Sequence, residues 1–151
     1  MQRLVQYPPI VTLCFIAGML LISVLTPSLD ADPVILRSAA VVLFVMSSLL
    51  LVSGGWAFKK AQTTVNPTTP EKTSRLVKSG IYAYSRNPMY LGFLGFLIIV
   101  ACLLNNAFTL VLLPLYIFTV NKRFIEPEEV ALGNIFGQQF NDYKSQVRRW
   151  I

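Results

Sequence analysis

No histidine occurs in the 151 residues of this chain. That excludes His-based triads, histidine metal ligands and a histidine general base. Charge is scarce as well: Asp, Glu, Lys and Arg make up 13% of residues, about half the share in a soluble domain. Cysteine is limited to Cys14 and Cys102, each inside an apolar run. Such residues act as small buried hydrophobes, not as a disulfide or metal pair. What fills the chain is apolar, with 54% of residues hydrophobic. The composition is that of an all-α integral membrane protein with a single domain over 1–151. The formal net charge of +6 belongs in that setting to membrane orientation and anionic headgroups. The lipid bilayer is therefore an expected partner, and nucleic acid and metal are not.

Four apolar runs predict four transmembrane helices, over about 10–26, 34–58, 89–104 and 107–124. The first run lacks a small-residue cleavage pattern and reads as a retained span, not a signal peptide. Pro27, Asp30, Asp32 and Pro33 mark a loop after it. Gly54-Gly55-Trp56 offers small residues for helix packing and an interfacial aromatic near the end of the second span. Asn105-Asn106 alone separates the last two runs, so they are expected to form a tight helical hairpin. Pro114 should kink the fourth helix. Past it, apolar residues at Val130, Leu132, Ile135, Phe136, Phe140, Tyr143 and Val147 recur at helical spacing. They predict a C-terminal amphipathic helix over 128–147, weakened by Gly133 and Gly137 and open to a break near Gly137.

Charge supplies the orientation. The loop 59–88 carries Lys59, Lys60, Lys72, Arg75, Lys78 and Arg86 against one acid, Glu71. The first loop carries Asp30 and Asp32, and the Asn-Asn turn carries no charge. Lys122 and Arg123 close the last span, and Lys144, Arg148 and Arg149 follow toward the C-terminal end. By the positive-inside rule, both termini and the loop 59–88 are cytoplasmic.

Within that loop, Gly80 to Gly92 is the stretch where a membrane surface would pass. Pro88 suits the first position of a helix, and Asn87 before it is a plausible N-cap. Arg86, Tyr82, Tyr84 and Tyr90 crowd the same residues. Tyr and Arg also serve as plain interfacial anchors at that depth. The hairpin should bring Tyr90 beside Arg123 and create a polar pocket at the boundary. Glu128 and Glu129 follow closely, and they would also complement a helix dipole there.

The residues from Asn66 onward resemble the isoprenylcysteine carboxyl methyltransferase family, within the wider group that includes membrane phospholipid methyltransferases. The resemblance rests on Leu76-Val77, Ser79-Gly80-Ile81-Tyr82, Arg86-Asn87-Pro88-Met89-Tyr90, Glu128-Glu129-Val130-Ala131-Leu132, and Phe136-Gly137 followed by Phe140 and Tyr143. It implies S-adenosylmethionine as methyl donor, held in a bundle of membrane helices. No Gly-x-Gly-x-x-Gly stretch is present, which agrees with a fold other than Rossmann. By motif position, Ser74, Arg75, Leu76, Val77, Tyr82, Asn87, Pro88, Met89 and Tyr90 would contact the cofactor. Glu128 would hold its cationic or polar portion. Glu128 and Arg123 are the implied catalytic residues, Arg123 by fixing an acceptor carboxylate through two parallel hydrogen bonds. Asn87 stands where eukaryotic members commonly have His, and it cannot titrate near neutral pH.

The implied reaction is methylation of a lipophilic or small acceptor at the membrane–cytoplasm interface, with carboxyl O-methylation of an isoprenylcysteine-like substrate foremost. A carboxylate is already ionised at neutral pH, so no strong base is needed. Positioning and water exclusion would carry the catalysis. A phospholipid amine, a thiol, and a non-catalytic scaffold of the same fold are the alternatives. The expected location is a bacterial inner membrane, as a multi-pass protein with both termini and the loop 59–88 on the cytoplasmic side.

Overall fold

The computed structural model describes residues 7–62 and 75–151, and every described element is helical. Helix α1 runs Pro8–Leu25, α2 Pro33–Ala61, and α3 Pro88–Leu104. A 3-10 turn over Gly80–Ala83 precedes α3. A second helical stretch then continues without interruption as a 3-10 segment Ala107–Val111, α4 Leu112–Val120, a π turn Asn121–Ile125 and α5 Glu126–Phe136. Helix α6, Gln138–Gln146, completes the order. Three helical stretches, Pro8–Leu25, Pro33–Ala61 and Ala107–Phe136, are long and apolar enough to cross a membrane, and Pro88–Leu104 is a shorter apolar helix.

Local chemistry sets these boundaries. Proline stands at the start of α1, α2 and α3, where its missing N–H is not needed. The Asp32 carboxylate caps α2 by accepting from the Val34 N–H at 2.8 Å. Gln62 and Asn105 end α2 and α3 in the left-handed conformation, with φ 53° and 47°. Asn106 starts the next segment, its side-chain oxygen accepting from the Phe108 N–H at 2.9 Å.

The Asn-Asn turn also fixes topology. Asn105 donates through its amide to the Ala31 carbonyl at 3.0 Å, and Asn106 to the Thr26 hydroxyl at 2.9 Å. The first and third loops are thus stitched together at one end of the bundle. The start of α1, the end of α2, the start of α3 and the end of α4 are left to the opposite end. Helix α3 is central, packing on α2 and also on α1 and α4. Met19, Leu97, Tyr116 and Val120 are fully buried between the helices. The Tyr116 hydroxyl shares a 3.0 Å hydrogen bond with Thr12, so its polar tip is satisfied.

Three expectations change. Pro114 falls in the first turn of α4, just after the 3-10 segment, so its missing donor interrupts no helical ladder and a kink is not required. The expected helix over 128–147 begins earlier, at Glu126, and divides at the glycine that the sequence marked for a break: Gly137 adopts a φ of 52° between α5 and α6. The close α2–α3 contact is made chiefly by glycines of α3. A methyl carbon added at Gly92 would lie 3.0 Å from the Ser47 carbonyl oxygen, and one at Gly95 would overlap the Ser47 hydroxyl. Gly54 does pack, against Met89, whereas Gly55 faces open space.

Gly92→Val should therefore destabilise the protein by about 1–3 kcal/mol through overpacking against a backbone atom. Gly55→Ala should be neutral or slightly stabilising. Thermal unfolding in detergent reads both, and equal losses would contradict this packing.

Candidate functional site

At the end of the bundle opposite the Asn-Asn turn lies a cavity of about 230 Å³. Its apolar walls come from Pro8 and Pro9 of α1, Phe58 of α2, Met89 and Phe93 of α3, and Ile125 and Leu132 of the composite helix. Phe140 and Tyr143 of α6 close another side. Its polar groups are Arg75, Arg86, Asn87, Glu128, Glu129 and the tyrosine hydroxyls. A mostly apolar recess with a few convergent polar groups is the usual form of a small-molecule site.

The sequence-predicted residues largely converge there. Arg75, Leu76, Val77, Tyr82, Asn87, Met89, Tyr90 and Glu128 all line the cavity. Pro88 is fully buried but does not line it. Ser74 lies outside the described residues. Arg123 is exposed and does not line the cavity. Its expected place beside Tyr90 is taken by Phe124, whose ring stacks on Tyr90 at 6.1 Å. The π turn accounts for the exchange: Phe124 and Ile125 face inward from it, while Lys122 and Arg123 face outward. π turns often mark functional sites.

Asn87 occupies the N-cap position without acting as a side-chain cap. Its backbone N–H donates to the Ser85 hydroxyl at 3.1 Å, and its side-chain amide donates to the Arg149 carbonyl at 2.9 Å. Tyr82 is buried, with its ring edge-on to Phe58 at 5.3 Å. Burial, with the nearby Glu128 charge, holds its phenol well above the usual tyrosine range.

Two acids side by side behave differently. Glu129 accepts from Arg86 at 2.7 Å and from both Nε and Nη2 of Arg149, at 3.1 and 2.7 Å. The Glu129 and Arg86 side chains are only 13% and 10% exposed, so this pair is largely buried, while the Arg149 side chain, 32% exposed, closes it from the solvent side. The hydrogen bond to Glu129 keeps the Arg149 guanidinium above its ordinary pKa. Glu128 is half-buried and, among the described residues, pairs with no cation. The cavity thus presents one carboxyl group that no cation among the described residues answers. Arg149 and the full role of Glu129 escaped the sequence reading, in which Arg148-Arg149 counted only as orientation charges.

An all-helical chain with three candidate spans and an amphiphilic cavity at one end is the setting in which the family match is read. Residues 36–139 match the family model described as phospholipid methyltransferase. The chain belongs to the phospholipid methyltransferase family. It is 34% identical over 113 residues to the protein-S-isoprenylcysteine O-methyltransferase of Saccharomyces cerevisiae, covering 68% of this chain and 46% of that one. It is 35% identical over 75 residues to the enzyme of that name from Mus musculus, covering 50% of this chain and 26% of that one. The Schizosaccharomyces pombe protein of the same name is 34% identical over 76 residues, covering 50% and 32%. The chain spans less than half the length of these relatives. No solved structure matches it.

The Tyr143 hydroxyl donates to the Tyr82 carbonyl at 2.7 Å and ties α6 to the cavity wall. Burial pushes this phenol up to about 12, with Arg86 opposing the rise. A folded-state pKa above the unfolded value of 10 gives stability that is complete below pH 10 and lost as pH rises through about 12. Tyr143→Phe should cost about 1 kcal/mol at neutral pH and flatten that alkaline fall. Melting in detergent across the alkaline range checks both, and an unchanged alkaline limb would contradict the account.

Proposed function

We propose that this chain is an S-adenosylmethionine-dependent methyltransferase acting at the membrane–cytoplasm interface. The acceptor is lipophilic or small, and an isoprenylcysteine-like carboxylate is the foremost candidate. The observation that carries the reading is Glu128, a carboxyl group with no cation partner among the described residues, facing a largely apolar cavity whose walls include the family-motif residues Leu76, Val77, Tyr82, Asn87, Met89 and Tyr90. Such a group suits a ligand that is both cationic and partly apolar, which describes a sulfonium nucleoside. The family membership supplies the methyl-transfer chemistry: bound there, S-adenosylmethionine would provide an activated methyl group.

The chain's own residues would then do four things. Glu128 balances the sulfonium charge. Leu76, Val77, Tyr82, Met89 and Tyr90 enclose the apolar portions and exclude water, which strengthens the charge interaction. Asn87 supplies an amide for hydrogen bonding. Arg75, exposed at the cavity, suits a carboxylate. A carboxylate acceptor needs orientation and no base. Arg123 is proposed as the group that holds it, from outside the cofactor cavity.

For the membrane, we propose four spans, α3 included, in a single domain. At ~1.5 Å per residue α3 reaches ~25 Å, a little short of the ~30 Å hydrocarbon core. Lys59, Lys60, Lys122 and Arg123 gather at the cavity's end of the bundle, which supports a cytoplasmic reading of that end. A soluble cofactor and a bilayer-borne acceptor would meet there. The family description supports a phospholipid amine as a second acceptor reading. Transfer of labelled methyl to a prenylcysteine analogue or to phosphatidylethanolamine separates the two.

The cofactor assignment has its own test. Calorimetric titration of detergent-solubilised protein compares S-adenosylmethionine with its neutral thioether product. Glu128→Gln should weaken the sulfonium by about tenfold or more and the thioether much less, since only the former loses a charge partner. Equal weakening of both removes Glu128 from the charge role. Arg123→Ala should lower turnover and leave cofactor affinity unchanged.

A further inference from the structure

The last residues of the chain are fastened to the start of the cavity wall with unusual density. After α6, residues 147–150 run past the Arg86-Asn87 junction. The Arg86 backbone N–H donates to the Arg148 carbonyl at 3.1 Å, and its guanidinium donates to the Val147 carbonyl at 2.8 Å. The Trp150 indole N–H donates to the Asn121 side chain at 3.2 Å, on the π turn. Between these points, the Arg149 guanidinium grips the Glu129 carboxylate with two bonds, at 3.1 and 2.7 Å. That grip holds the Arg149 carbonyl in place, and this carbonyl accepts the Asn87 amide at 2.9 Å.

The last bond has a chemical consequence. A carbonyl can only accept, so the Asn87 group turned toward Arg149 is the NH2. The amide oxygen is thereby left for the cavity that Asn87 lines. The Arg149 side chain does not line that cavity. It reaches the cavity through two lining residues, Asn87 by its carbonyl and Glu129 by its guanidinium, and only the Asn87 bond sets the orientation of an otherwise neutral amide.

We propose that Arg149 is a positioning residue for the cofactor cavity, fixing the orientation of the Asn87 amide through its own carbonyl while Glu129 anchors its guanidinium. This rests on the cofactor reading above. Lysine cannot replace arginine here, because an ammonium lacks the planar fork that engages both carboxylate oxygens. The chain terminus, outside the recognisable motif, would thus shape a motif residue.

The test is a double-mutant cycle on the full chain in detergent, read as S-adenosylmethionine affinity by calorimetry, with melting temperature recorded for each variant. Arg149→Ala and Asn87→Ala should each weaken binding about tenfold. The double variant should be no weaker than Asn87→Ala alone, because the Arg149 side chain acts on the ligand by holding the carbonyl that orients the Asn87 amide. Arg149→Lys should fall close to Arg149→Ala, and it carries the same cycle should the alanine variant fail to fold. Additive losses, about a hundredfold in the double variant, would overturn the proposal. So would a lowered melting temperature with unchanged affinity, which reduces Arg149 to a stabilising residue. A wild type that binds no S-adenosylmethionine overturns the cofactor reading, and this inference with it. Binding by the wild type with additive losses overturns this inference alone.

Discussion

Charge near a membrane has to be answered by opposite charge, and in this protein Glu129 provides the answer. One carboxylate holds two guanidiniums, Arg86 before α3 and Arg149 after α6. Three segments far apart in sequence meet on it. Breaking a buried pair of this kind typically costs about 3–5 kcal/mol, because the surviving charge is stranded. The same contact lets Arg86 satisfy the carbonyls of Lys144 and Val147 at the end of α6. The cavity's polar end is therefore set by a device outside its apolar walls. With Glu129 occupied, Glu128 beside it remains the carboxylate offered to a ligand.

Much of this was legible in the sequence, and the reasons are physical. Long apolar runs and proline at helix starts are local signals, and they set α1, α2 and α3 within a few residues. The Asn-Asn turn is also local, and its consequence, one end of the bundle gathering residues 75–90 and 125–132, followed from it. Arg75 through Val77, Tyr82, Asn87, Met89, Tyr90 and Glu128 meet at that end. What failed depended on angular detail. A π turn over Asn121–Ile125 changes which side chains face inward, and hydropathy carries no signal for it. It sends Phe124, not Arg123, to Tyr90. Pro114 looked like a break because the preceding 3-10 segment could not be read from composition.

The Asn87 amide and the terminal strap were illegible for a different reason. Both depend on hydrogen bonds across about sixty residues of sequence, between a side chain and a backbone carbonyl. Residue type gives little warning of such bonds. The pair Arg148-Arg149 reads as membrane-orientation charge in a sequence, and Arg148 is indeed exposed. Its neighbour has a buried partner. The family resemblance brought the motif residues together, but the last of its matching elements is Tyr143, before the strap.

The central claim is that the 75–90 junction, the start of α5 and the C-terminal strap bind one cofactor as a unit. Hydrogen–deuterium exchange of the detergent-solubilised protein, with and without S-adenosylmethionine, tests it most directly. The account predicts added protection in all three segments together and little change at the Asn-Asn turn. Binding with protection confined to another part of the chain, or to one of these segments alone, would contradict it.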